Sequence, residues 1–267
     1  MPVTEYGIVV NLDTCIGCRA CQVACKVWNG LKAEETSFNP QGYTNPPDLT
    51  PNTWMIMQFL EGVEDGEPFW LFKKHQCLHC SEAPCAKACP VNAIEVHPEG
   101  AVVIRSDRCI GCRYCIEACP YNVPRYDPKT NKVYKCTLCI DRIQNGLQPA
   151  CVEACPTDAL EFGPWRELVE KYRAAGYEVY GDHVNDYVGH THYLYVTRKY
   201  RSLGAKQGKK WYEVLGLPAD PRGRLPGVQL GREVGVGLAA LAALGAVAHA
   251  VYWRAKRMEK RSGSKGG

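Results

Sequence analysis

The sequence predicts an α+β chain: a duplicated cysteine-bearing domain hung on short strands and broken by loop insertions, then a single apolar helix near the C-terminus. Three observations carry this. All sixteen cysteines fall into four groups of four. The stretch DTCIGCRACQVAC from Asp13 returns as DRCIGCRYCIEAC from Asp107, identical at nine of thirteen positions. Residues 234–253, VGVGLAALAALGAVAHAVYW, contain no Asp, Glu, Lys or Arg.

At 267 residues the chain can bury a sizeable core. Met1 is followed by no charged-then-apolar leader with a small-residue cleavage site, which argues against a secreted disulfide framework. The formal charge is +4 with every cysteine neutral. Four cuboidal iron–sulfur cores held by sixteen thiolates, at about −2 each, would bring it to about −4. The basic residues are therefore read as local compensation for buried negative charge, and no nucleic-acid partner is expected.

In chain order, YGIVVNLDTC reads as a strand leading into the first group, Cys15, Cys18, Cys21 and Cys25. Residues 29–53, rich in Pro, Asn and Thr, read as a surface loop without regular structure, suited to partner contact. WMIMQFLEGVEDGEPFWLFKK follows as a hairpin whose aromatics serve an interface or the core. The second group is Cys77, Cys80, Cys85 and Cys89. AIEVHPEGAVVIRSDRC reads as a hairpin turning at Pro98 to Gly100, and it delivers the third group, Cys109, Cys112, Cys115 and Cys119. The fourth is Cys136, Cys139, Cys151 and Cys155, after which ALEF echoes the AIEV that follows the second. GPWRELVEKYRAAG fits a helix ending at Gly176, and HYLYVTRKY a strand.

The first and third groups follow the C-x2-C-x2-C-x3-C run in which three thiolates on a tight loop cap one [4Fe–4S] cluster and the fourth serves the neighbouring cluster. Gly17 and Gly111 sit inside these loops, where backbone N–H groups approach cluster sulfur. Pro90, Pro120 and Pro156 redirect the chain after the last cysteine of their groups. The economical reading is a duplicated two-[4Fe–4S] ferredoxin-like domain carrying four clusters. Zinc knuckles are the alternative, but they use two cysteines each where these loops offer three. His79, inside CLHC, is expected to support the ligands, not to join them. His190 and His192 stand two apart and suggest a metal site, yet no third ligand is evident in the sequence, so hydrogen-bonding roles are expected.

As a helix, the run 234–253 would span about 30 Å, the thickness of a bilayer core. Tyr252 and Trp253 close it as interfacial anchors would, and its small residues suit packing against other spanning helices. Arg254, Lys256, Arg257, Lys260 and Arg261 place the C-terminus in the cytoplasm and the cysteine domain on the other face, although Arg222, Arg224 and Arg232 on the opposite flank weaken that bias. His249 is expected to hydrogen-bond within the membrane. The expected boundaries are 1–200 for the four-cluster domain, with 29–74 as insertion and hairpin, 201–232 for a linker, 233–253 for the transmembrane helix and 254–267 for a basic tail.

Four groups in this order, with VYKCTLCIDRIQNGLQPACVEACPTDALEFG, the later GLPADP and one C-terminal apolar helix, resemble the iron–sulfur (beta) subunits of membrane-bound respiratory formate dehydrogenases. The resemblance implies that groups pair first with fourth and second with third. Cys15, Cys18, Cys21 and Cys155 would then hold one cluster, and Cys136, Cys139, Cys151 and Cys25 its neighbour. Cys77, Cys80, Cys85 and Cys119 would hold a third, and Cys109, Cys112, Cys115 and Cys89 the fourth. Lys26 stands where the family's run has proline.

The resemblance further implies a non-catalytic electron-transfer subunit. It would lie between a molybdenum or tungsten pterin catalytic subunit that oxidises formate and a membrane cytochrome b subunit that reduces quinone. The absence of a catalytic triad, dinucleotide fingerprint or phosphate loop agrees with that role. The equivalent subunit of a membrane-bound hydrogenase or of another molybdopterin reductase remains the alternative within electron transfer, and a zinc-binding assembly scaffold the alternative outside it.

Overall fold

A computed structural model describes residues 3–40, 42–64 and 66–224. Of the chain's two units, 222–267 and 1–221, the second-named carries all sixteen cysteines. Its strands are β1 (Tyr6–Asn11), β2 (Ile56–Glu64), β3 (Glu67–His75), β4 (Ile94–Val96), β5 (Val102–Ile104), β6 (Arg125–Asp127), β7 (Lys132–Tyr134), β8 (Leu160–Pro164), β9 (Glu178–Tyr180) and β10 (Tyr193–Thr197). Its helices are α1 (Ala20–Trp28), α2 (Pro84–Lys87), α3 (Tyr114–Glu117), α4 (Ile140–Gln144), α5 (Ala150–Glu153), α6 (Trp165–Ala174) and α7 (Trp211–Val214).

The duplication is visible in strand pairing. The strand after the second cysteine group, β4, pairs antiparallel with β5, which leads to the third. In the same way β8, after the fourth group, pairs antiparallel with β1, which leads to the first, although some 150 residues separate them. Each pairing closes one half of the repeat. The second closure joins the two ends of the cysteine domain.

β1 is extended into a four-stranded sheet of order β8-β1-β10-β9, with β1 and β10 parallel. Both faces of this sheet are covered, which is why IVV and YLYV read as nearly continuous apolar runs. Val9, Leu194 and Val196 point toward α6, whose Leu168, Val169 and Tyr172 cover them. Ile8, Val10, Tyr193 and Tyr195 point the other way, into the larger core that contains the cysteines. Ile8 is fully buried there. Ile8→Ala is therefore expected to destabilise the domain by about 2–5 kcal/mol, lowering by several degrees the temperature at which holoprotein absorbance is lost in a thermal scan.

The β2–β3 hairpin forms as expected, in register from Ile56 opposite His75 to Glu64 opposite Glu67. Its aromatics Phe59, Trp70 and Phe72 interlock over the first cysteine loop, and Trp70 remains half exposed. The β6–β7 hairpin is an addition the sequence reading passes over; Asn131 takes a left-handed conformation at its turn.

Residues 201–221 depart from the expected linker. Leu203, Trp211, Leu215 and Leu217 are buried, and they belong to the same unit as the cysteines. Lys73 Nζ donates to the Leu215 carbonyl at 2.8 Å, and Tyr180 donates to Pro218 at 3.0 Å. Four large apolar residues in fifteen gain more from burial than an extended tether leaves them. Among the described residues no helix is long and apolar enough to cross a membrane. The run 234–253, His249 and the basic tail lie outside the described residues.

Candidate metal centres

None of the sixteen cysteines forms a disulfide. Three cavities each gather four of them from two groups distant in sequence. Cys15, Cys18, Cys21 and Cys155 line one (set A). Cys77, Cys80, Cys85 and Cys119 line another (set C), and Cys89, Cys109, Cys112 and Cys115 a third (set D). The remaining four, Cys25, Cys136, Cys139 and Cys151 (set B), lie within electrostatic reach of one another.

Local backbone explains how three thiols of a group reach one cavity. In the first and third groups Gly17 and Arg19, and correspondingly Gly111 and Arg113, take left-handed φ between 64° and 72°, so each loop curls around its own cavity. At Gly17 a Cβ would stand 2.7 Å from Phe72 Cδ1, and at Gly111 2.4 Å from Asn131 Oδ1, so both positions are closed to side chains. In CLHC and CTLC the same job falls to His79 and Leu138, at φ 50° and 61°. The short helices then carry the last cysteine of each group onward to the next set.

The sets touch in sequence A, B, C, D. Cys21 of A neighbours Cys151 of B, where α1 packs on α5. Cys136 of B neighbours Cys77 of C. Cys85 of C neighbours Cys115 of D, where α2 meets α3. Sets B and C are buried apart from the half-buried Cys119, whereas Cys18 of A and Cys112 of D are exposed. The result is an insulated middle with two open ends.

Burial pushes the bare thiols of Cys21, Cys85, Cys115 and Cys139 up to about 12, and those of Cys119 and Cys136 to about 11. Free thiols here would be neutral. Yet Lys74 and Lys135 lie buried among them, 1% and 3% exposed. Burial acts to lower Lys74, and thiolate charge on Cys151, Cys136, Cys21 and Cys25 outweighs it, so the ammonium is favoured. Lys135 is balanced in the same way by Cys77, Cys85 and Cys136. Two buried cations among the cysteines suit thiolates held by a metal, which would balance their charge.

Hydrogen bonding fits the same conclusion. Backbone N–H groups of His79, Ala93 and Leu138 point at Cys77, Cys89 and Cys136 Sγ at 3.4, 3.2 and 3.4 Å. Tyr193 Oη lies 3.7 Å from Cys151 Sγ and accepts from Lys74 Nζ at 3.3 Å. His79 is fully buried, its Nδ1 accepts from Val102 N at 2.9 Å, and its Nε2 has no partner among the described residues. Nε2 must then carry the proton, a buried donor of the kind a cluster sulfide would accept. The donor set is that of iron–sulfur clusters: thiolates in fours, ringed by N–H donors and two cations.

Lys74, Lys135 and Tyr193 are absent from the sequence-derived site. Their signal was a pair of lysines closing an aromatic-rich strand, FWLFKKH, and a lysine beside a ligand, VYKC.

Comparison with known proteins finds iron–sulfur relatives. A 4Fe-4S dicluster domain matches residues 14–93, and a second model of that description matches 68–165. The nitrate-inducible formate dehydrogenase iron–sulfur subunit of Escherichia coli is 42% identical over 226 residues, covering 82% of this chain and 74% of its own. The formate dehydrogenase iron–sulfur subunit of Haemophilus influenzae is 41% identical over 257 residues, covering 92% and 80%. One component of the anaerobic dimethyl sulfoxide reductase of Escherichia coli is 37% identical over 169 residues, covering 63% and 78%.

Proposed function

This protein belongs to the family of formate dehydrogenase iron–sulfur subunits, and from that premise we propose that it binds four [4Fe–4S] clusters and conducts electrons between two partner subunits. The observation that carries the proposal is the unbroken succession of the four cysteine sets, with exposed Cys18 and Cys112 at opposite ends of it. Each set would hold one cluster through its four thiolates: set A by Cys15, Cys18, Cys21 and Cys155; set B by Cys25, Cys136, Cys139 and Cys151; set C by Cys77, Cys80, Cys85 and Cys119; set D by Cys89, Cys109, Cys112 and Cys115. Each cluster supplies reversible one-electron storage. The protein's residues hold it, exclude water from sets B and C, and offset its negative charge through Lys74 and Lys135.

One open end would meet a molybdenum or tungsten pterin catalytic subunit that oxidises formate, the other a membrane cytochrome b subunit that passes electrons to quinone. The uncharged run 234–253 would cross the bilayer once, and the basic residues after it favour a cytoplasmic C-terminus with the cysteine domain on the outer face. Similarity to the dimethyl sulfoxide reductase component supports a second reading, in which the catalytic subunit is another molybdopterin reductase.

Purification of the complex in mild detergent tests both readings. About sixteen irons per chain, with reducible paramagnetic signals, are expected in company with a pterin-bearing large subunit. Zinc without iron would end the electron-transfer reading. A large subunit with no formate activity would end the formate assignment alone.

A further inference from the structure

Outside the cysteine sets, one cluster of metal-binding side chains is built from both ends of the domain. Glu5 immediately precedes β1, and His190 and His192 immediately precede β10. The parallel pairing of those strands brings all three to the same end of the sheet. Their ligand atoms lie within 4.8 Å of one another. The third ligand that the sequence around the histidines lacks is 185 residues away from His190.

We propose that Glu5, His190 and His192 form a binding site for one divalent transition-metal ion of zinc-like preference, separate from the cysteine centres. Nε2 of His190 and Nε2 of His192 each stand 2.8 Å from the same oxygen, Oε1 of Glu5. Two ligands at about 2.0–2.1 Å from a tetrahedral ion are about 3.3–3.4 Å apart. The two imidazoles already converge on one carboxylate oxygen, and opening each contact by about half an ångström admits the ion.

The proton inventory of His192 points the same way. Its Nδ1 faces the backbone carbonyl of His79, which can only accept, so Nδ1 carries the hydrogen. In the neutral ring Nε2 is then a lone pair facing a carboxylate oxygen, two acceptors in contact. A proton or a metal ion between them satisfies both, and only a metal ion can also take Nε2 of His190, which faces the same oxygen. An Nδ1–H bonded to a carbonyl, with Nε2 free to coordinate, is the arrangement by which proteins orient metal-binding histidines.

The surrounding backbone holds the three groups in place. Ile8 N donates to His192 O at 2.7 Å, His192 N to Leu78 O at 3.0 Å, and Ser81 N to His190 O at 2.9 Å. Trp165 N donates to Glu5 O at 2.9 Å, and the Trp165 ring lies 4.2 Å from that of His190. Gly100 packs its backbone on His192: a Cβ there would stand 2.7 Å from Nε2, so no side chain competes for that nitrogen. Exposure rises from His192 at 2% to His190 at 19% and Glu5 at 35%, so water completes the shell from the Glu5 side. Two imidazoles and a carboxylate form the donor set of zinc and its first-row neighbours. Bound there, the ion ties the N-terminal segment to the approach of β10, and through the His192 and Ser81 bonds to the loop that carries Cys77 and Cys80.

The test uses holoprotein with its iron in place, equilibrated with micromolar free zinc and then separated from it. About one zinc per chain is expected, with a zinc-edge X-ray absorption shell of nitrogen and oxygen at about 2.0–2.1 Å and no sulfur at about 2.3 Å. Glu5→Gln and His190→Ala are each expected to weaken zinc binding at least about tenfold with iron content unchanged. No retained zinc, a sulfur shell, or equal zinc in wild type and both variants would overturn the proposal. The wild-type spectrum decides the matter even where a variant fails to fold.

Discussion

Replacing Cys25 with alanine is expected to damage one iron–sulfur cluster and to spare the one capped by its own sequence neighbours. Cys15, Cys18 and Cys21 line their cavity with Cys155. Cys25, one turn further along α1, instead has Cys136, Cys151 and Cys139 around it. Removing its thiolate leaves set B with three ligands in a buried site, where a water ligand is poorly accommodated, so loss of between one and four irons per chain is expected. Pairs of substitutions make the assignment sharp. Cys25→Ala with Cys139→Ala falls within one set and should disturb a single paramagnetic signal, as either does alone. Cys25→Ala with Cys155→Ala crosses two sets and should disturb two, the independent case. If Cys25→Ala and Cys155→Ala change the same signal, with the double variant no worse than either, the crossed pairing is wrong.

The same contrast explains what the sequence could reveal. The four groups, the strands that feed them, the β2–β3 and β4–β5 hairpins and α6 were legible because each is set by spacing or periodicity within about twenty residues. The partners of Cys25 and Cys155 were not, since they depend on β8 returning to β1 across most of the domain. That pairing entered with a family resemblance. Residues 201–221 were misjudged because Trp211 and Leu215 find their pocket only in the folded domain. Glu5 carried no signal of its own: an acidic residue near the start of a sequence is ordinary until β1 pairs with β10 and sets it against two imidazoles.

The buried lysines show how charge and electron transfer are joined. The proposed four clusters, each with net negative charge and held by neighbouring cysteine sets, would raise one another's cost of reduction. The fold inserts an ammonium at two of the three junctions: Lys74 beside Cys21 and Cys25 of A and B, Lys135 beside Cys136 and Cys77 of B and C. The junction of C and D, between buried Cys85 and Cys115, has no ammonium of its own beside it among the described residues, and Lys135 reaches it through Cys85. Both internal cations are buried, where solvent cannot substitute for them.

Lys74→Met is accordingly expected to lower the reduction potentials of the clusters held by sets A and B, leaving that of set D nearly unchanged. Each reduction adds negative charge, which a fixed positive charge stabilises, so its removal shifts potentials downward. At roughly 8 Å and an effective dielectric constant of about 20 the interaction is about 2 kcal/mol, or roughly 90 mV for one electron. Methionine keeps the length of the stem that crosses the Tyr193 ring, 4.5 Å from Nζ to the ring centre, so packing changes little. Lys74→Arg keeps the charge and should hold the potentials within a fraction of that shift, although the larger head must find new room. Redox titration followed by paramagnetic resonance reads each signal separately. An upward shift, or an equal shift of all four signals, would show that Lys74 does not act as a local charge between the first two sets.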